Sequence, residues 1–166
     1  MTNVEDIAAY ILSKASPMSS MKLQKLVYYS QAWSLVWDEA ELFPEKIRAW
    51  ANGPVVYELF ELHRGKFSVS QLARGNADLL SDVQRETVDA VLQTYGNLSG
   101  RQLSHLTHSE APWQDARGDL PDTARSDAEI TPDSLAQYYA SLDAATDATN
   151  IEQLDWEMWL RRHEDE

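Results

Sequence analysis

Between Ser19 and Glu39 the apolar residues Leu23, Leu26, Val27, Tyr28, Trp33, Val36 and Trp37 recur at helical spacing but cover more than one face. A helix apolar over so wide an arc has to be wrapped by other elements, which places the segment from about Met21 to Glu39 at the centre of a domain. The rest of the chain supplies the wrapping. Thr2 and Glu5 have capping-box spacing ahead of the stripe Val4, Ile7, Ala8 and Ile11, and Pro17 closes that segment. Asn52-Gly53-Pro54 reads as the opening of a helix, with Pro54 in the first turn, where no N–H is needed, and Gly53 permitting the turn before it. That helix carries Val55, Val56, Leu59, Leu62 and His63, and Gly65 suits its left-handed cap. The pairs Ser81/Gln84 and Ser99/Gln102 open two more helices, the first with the stripe Val83, Val88, Val91, Leu92 and Tyr95, the second with Leu103 and Leu106. Pro112 opens a short turn anchored by Trp113, and Thr131-Pro132 starts a helix with Leu135, Tyr138, Tyr139 and Leu142.

Residues 66–79 and 117–130 read as loops, Ile47 to Trp50 is either extended or one helical turn, and no strand pair stands out. The expected class is all-α. A compact multi-helix domain over residues 1–142 surrounds the central helix, followed over 143–166 by a small-residue linker (Asp143 to Asn150) and a short acidic accessory helix, Ile151 to about Arg162.

The 166 residues suffice for one real core. There are no cysteines, which excludes disulfides, thiol nucleophiles and cysteine-ligated metals. The formal charge is −13, and it is unevenly placed: residues 109–166 hold 15 acidic against 4 basic side chains. Such a surface repels phosphate backbones, and no helix-turn-helix with a basic recognition helix stands out, so no autonomous nucleic-acid binding is expected. No apolar run approaches the ~20 residues of a membrane span, and the acidic start MTNVEDIAAY is unlike a signal peptide. A cytoplasmic location without a membrane partner is the expectation.

Few residues carry recognisable chemistry. His105 and His108 are spaced to share a helix face, with Glu110 nearby, so a metal-dependent or small-molecule enzyme would have to use these three. Neither a second ligand pair nor a distant ligand cluster accompanies them, and His108 at a helix end is accounted for by capping or by packing on Trp113. His63 reads as a core or capping histidine. Carboxylate pairs such as Glu58/Glu61 and Asp82/Glu86 fall on solvated faces, and neither a nucleophile motif nor a phosphate loop is present. No catalytic residue, metal ligand or cofactor site is assigned. The aromatic residues say more. Trp33 and Trp37 fit the core helix, whereas Trp50, Trp113, Trp156 and Trp159 lie outside the strongest stripes. Large aromatics are over-represented at binding hot spots. Trp156 and Trp159 share a helix with Ile151, Leu154, Met158 and Leu160 and are the first candidates for partner contact; Trp50, Tyr57 and Trp113 are the next.

Three segments together resemble a known family: KLQKLVYYSQAW (Lys22 to Trp33), AWANGPVVYELF (Ala49 to Phe60) and LSGRQLSHLTHSEAPWQDAR (Leu98 to Arg117). Their order and spacing are similar to the SocA-like Panacea domain, also described in phage-associated proteins, with Gly53, Pro54, His108, Pro112 and Trp113 as its structural marks. The resemblance runs from about Val4 to Tyr139. It implies an all-helical, non-enzymatic antitoxin of a toxin–antitoxin system that neutralises a cognate protein toxin, usually encoded next door, by direct binding. It also implies an alternative, a proteolytic adapter that delivers the toxin to a ClpXP-type protease. Toxins met by the family include tRNA-modifying alarmone-synthetase-like enzymes, Fic-like enzymes and small membrane-disrupting proteins. A toxin acting on nucleotides or RNA tends to carry a basic face, which an acidic partner can approach by steering and then cover. The helix from Ile151 to Arg162 and the tail Glu164-Asp165-Glu166 lie outside the resemblance.

Overall fold

The structure, a computed structural model, describes residues 2–148. In chain order the elements are α1 (Val4–Ala15), β1 (Met18–Ser19), α2 (Ser20–Trp37), β2 (Ile47–Trp50), β3 (Gly53–Val56), α3 (Tyr57–His63), β4 (Ser68–Val69), a 3-10 turn (Ala77–Leu79), α4 (Asp82–Tyr95), α5 (Gly100–His108), α6 (Ala111–Arg117), β5 (Glu129–Ile130) and α7 (Pro132–Ala148). Helix α2 is the axis, with α1, α4, α5 and α7 packed around it. Every residue from Leu23 to Ser34 is buried, including the polar Gln24, Lys25, Ser30, Gln31 and Ser34.

Buried polar side chains need partners, and several of these spend theirs on irregular backbone. The Gln31 amide donates to the carbonyl of Phe43 at 2.9 Å and its oxygen accepts from the N–H of Leu42 at 2.7 Å. Ser34 donates to the carbonyl of Ala40 at 2.7 Å. The turn after α2 therefore folds back over its own helix. Ser81 and Ser99 cap α4 and α5 in closed boxes with Gln84 and Gln102, as their spacing predicts. At the N-terminus the box lies one residue later than expected: Asn3 is the cap, its N–H donates to Asp6 at 2.9 Å, and the Thr2 hydroxyl donates to the Leu42 carbonyl.

The all-α expectation is corrected to a mostly helical fold with two small antiparallel sheets. Strand β1 pairs with β4, inside the stretch expected as a loop, and β2 pairs on one side with β3 and on the other with β5. Gly53-Pro54 does not open a helix. Trp50 faces Gly53 in register, so Ala51-Asn52 is a two-residue hairpin loop and the helix begins only at Tyr57. Pro54 is tolerated because β3 is an edge strand. Two further expectations shift. Helix α7 runs to Ala148, so residues 143–148 are helical rather than a linker. Val83, expected in the buried stripe of α4, is exposed, whereas Val88 and Val91 of the same stripe are buried. Among the described residues no helix is long and apolar enough to cross a membrane.

Candidate partner-binding surface

The hairpin and α3 pack against the helical core, and α2 holds them. Strand β3 would present an unpaired edge, but the Gln24 side chain closes it, donating to the Val56 carbonyl at 3.1 Å and accepting from the Val56 N–H at 2.9 Å. With the Gln24 oxygen committed to that N–H, its amide nitrogen has one donor left, and His63 Nε2 lies 3.0 Å away. His63 Nε2 is therefore the acceptor, the ring is neutral with its proton on Nδ1, and burial lowers its pKa in the same sense. One residue on, the Lys25 ammonium lies fully buried and donates to the Pro54 carbonyl at 3.1 Å; burial pulls its pKa down to about 7. Gly53, at φ +114°, leaves room for this stem, since a Cβ there would stand 2.6 Å from Lys25 Cε.

A second buried cluster ties α2 to the α5–α6 junction and α7. Glu110, the N-cap of α6, accepts from the Tyr29 hydroxyl at 2.6 Å and the Tyr139 hydroxyl at 2.9 Å. Tyr28 and Tyr139 hydroxyls lie 3.1 Å apart, Tyr29 stacks on Tyr95 at 4.1 Å, and the Trp33 indole donates to Tyr95 at 2.9 Å. Burial raises the Glu110 pKa to about 7, against the opposing pull of its two tyrosine hydrogen bonds. The cluster is walled in by α2 and α7 and acts as an internal lock. The grouping of His105, His108 and Glu110 considered from the sequence is thereby taken apart, because the Glu110 carboxylate turns inward to the tyrosines. Among the described residues no three His, Cys, Asp or Glu side chains are close enough to hold a metal ion.

Outside the core, one aromatic cluster faces solvent. Trp50, Tyr57 and Phe60 rings lie 5.2–6.3 Å from one another. Tyr57 is exposed and the other two are half-buried. Arg64 sits over the Phe60 ring at 5.1 Å and donates to the Tyr57 hydroxyl at 3.2 Å, while the Trp50 indole donates to Asp127 at 3.1 Å. The sequence-based candidates Trp50 and Tyr57 thus come together, with Phe60 added by the helical turn of α3. Its spacing from Tyr57 was the available signal for Phe60.

Trp113 goes elsewhere. It is 2% exposed, its indole donates to the Trp50 carbonyl at 2.8 Å, and its ring is sandwiched between His108 at 3.9 Å and the Arg117 guanidinium at 4.8 Å. It is the foundation under Trp50 and offers no contact surface of its own. Pro112 stands in the first turn of α6, as its position predicts. Trp37, expected in the core, stacks on Trp33 at 4.9 Å but is 43% exposed, with its indole 3.5 Å from Asp143. Trp156 and Trp159 lie outside the described residues.

The family described as antitoxin SocA-like, Panacea domain, matches residues 23–114, which run from the start of the buried stretch of α2 through the hairpin, α4 and α5 into α6. The protein "Antitoxin SocA" of Caulobacter vibrioides (strain NA1000 / CB15N) is 30% identical over 126 residues, spanning 64% of this chain and 66% of that protein, just under two thirds of its length. No solved structure matches. With more than half of its length matched, the chain belongs to the SocA-like, Panacea-domain antitoxin family.

Proposed function

We propose that this chain is an antitoxin that neutralises one cognate protein toxin by binding it directly, as a non-enzymatic regulator, with the Trp50–Tyr57–Phe60 cluster in the interface. Membership of an antitoxin family supports the class of activity. The observation that carries the binding mode is the aromatic cluster. Trp50 at the end of β2 and Tyr57 and Phe60 on α3 gather into one partly exposed aromatic patch, and clusters of large aromatics at a surface mark interaction sites.

The test is co-expression with the product of the gene next to this chain's own, followed by co-purification. The reading expects growth to be restored and the two chains to elute together in a stable, stoichiometric complex. Restored growth without any complex would contradict direct binding, and unrestored growth would contradict the antitoxin assignment for that pair.

A further inference from the structure

We infer that the segment 118–129 and the aromatic cluster form one composite docking surface, held in register by Arg117, that takes a partner face on which lysine or arginine side chains flank an apolar patch. The inference rests on the antitoxin reading and says which surface of the toxin is met.

Arg117 is 4% exposed and makes no ion pair among the described residues. Its guanidinium donates instead to backbone carbonyls: Ala49 at 2.9 Å, Pro121 at 2.8 Å, Asp122 at 3.4 Å and Ala124. One fork therefore joins strand β2 to the segment that follows α6. Charge-assisted bonds of this kind fix geometry as well as adding energy, and the planar fork of arginine spreads its donors over carbonyls on both sides. The far end of the segment returns to the same place. The Ala49 N–H donates to the Ala128 carbonyl at 2.8 Å, Arg48 donates to the Asp127 carbonyl at 3.3 Å, and the Asp127 carboxylate accepts from the Trp50 indole.

The segment so fixed reads GDLPDTARSDAE and holds Asp119, Asp122, Asp127 and Glu129 against Arg125 alone. Asp119, Asp122 and Asp127 are exposed, and Leu120 stands 44% exposed among them. Arg117 thus holds the loop in one conformation, with its acidic side chains and Leu120 presented on it. The combination is an acidic loop carrying an apolar residue, fixed at Asp127 to the Trp50 ring of the aromatic cluster. Complementarity then specifies the occupant: a basic protein face, steered in by charge and anchored on the rings. A second copy of this chain, itself at −13, would be repelled.

The experiment uses the full-length chain and the toxin whose growth inhibition it relieves. Hydrogen exchange on complex formation is expected to slow in residues 48–60 and 119–129. Tyr57→Ala, at an exposed ring, is expected to weaken binding at least tenfold, mainly through faster dissociation. Asp119→Lys with Asp122→Lys is expected to slow association at least tenfold at low salt and to flatten its salt dependence. Arg117→Gln, if it melts cooperatively, is expected to keep the salt dependence of association, because no exposed charge changes, while dissociation speeds up severalfold and the slowed exchange of residues 119–129 in the complex is lost. Unchanged binding by both surface variants, or a footprint confined to other residues, overturns the inference while leaving the antitoxin reading intact. Slow exchange of the patch in the free chain that is released by Trp156→Ala with Trp159→Ala would make the chain's own terminal segment the occupant, and also overturns it. A wild-type chain that forms no complex with the toxin removes the reading on which the inference stands.

Discussion

Gly53 meets two demands at one position. Its φ of +114° lies where side chains are strained, and the space a Cβ would fill belongs to the Lys25 stem. Gly53→Val is therefore expected to lower stability by about 1–3 kcal/mol, seen as a lower melting temperature. An unchanged melting temperature would mean that the hairpin can turn without it. Glu110 and Lys25 set opposite pH dependences. Glu110 has its folded pKa raised to about 7, so its contribution is intact below the usual carboxylate range and is lost as pH rises through about 7. Lys25 has its folded pKa lowered to about 7, so its contribution is intact above the usual ammonium range and is lost as pH falls through about 7. Glu110→Gln keeps an acceptor for Tyr29 and Tyr139 and should remove the decline between about pH 4.5 and 7, a difference of at most ~3 kcal/mol from the native chain. Identical pH profiles for the two would show that the carboxylate does not titrate in that window. In the sequence Gly53 is recognisable as a constrained glycine, but the reason is a hairpin and not a helix start. The Glu110 site is hidden because its partners, Tyr29 and Tyr139, come from elements far apart in the chain. The only local hint is adjacent tyrosines within apolar helices, whose hydroxyls must find partners when buried.

At the scale of elements, α2 is plain from its own residues, because its apolar side chains recur at helical spacing over more than one face. The capped starts of α4 and α5 are equally legible, since a capping box is a local interaction. The sheets are not. Their strands are two to four residues long, too short to show a period, and their stability comes from distant chain: Arg48 pairs with Glu129, and the outer edge of β3 is closed by Gln24. Gln24→Ala should leave both backbone groups of Val56 and the His63 ring without their partner. The expected loss is about 2–4 kcal/mol, together with faster hydrogen exchange at Val56. Native-like protection at Val56 in that variant would show that the strand is held by its pairing with β2 alone. The site follows the same division: Trp50 and Tyr57 are candidates from sequence, but their meeting depends on the hairpin, and Trp113 passes from surface to foundation for the same reason.

For the whole molecule the dominant physical fact is charge. At −13, with most of the excess beyond residue 108, the chain presents an acidic field to whatever approaches it. If the toxin is met through a basic face, association should slow several-fold between about 0.05 and about 0.5 M salt, with dissociation changing much less. A rate indifferent to salt would leave the aromatic rings as the whole of the recognition. The central claim is that protection comes from the bound chain itself and not from delivery of the toxin for destruction. It is tested most directly by the growth rate of cells making both proteins, with and without their ClpXP-type protease. The account predicts equal protection in the two strains, with the toxin persisting undegraded in the complex. Protection that disappears when the protease is deleted, while the complex still forms, would contradict it.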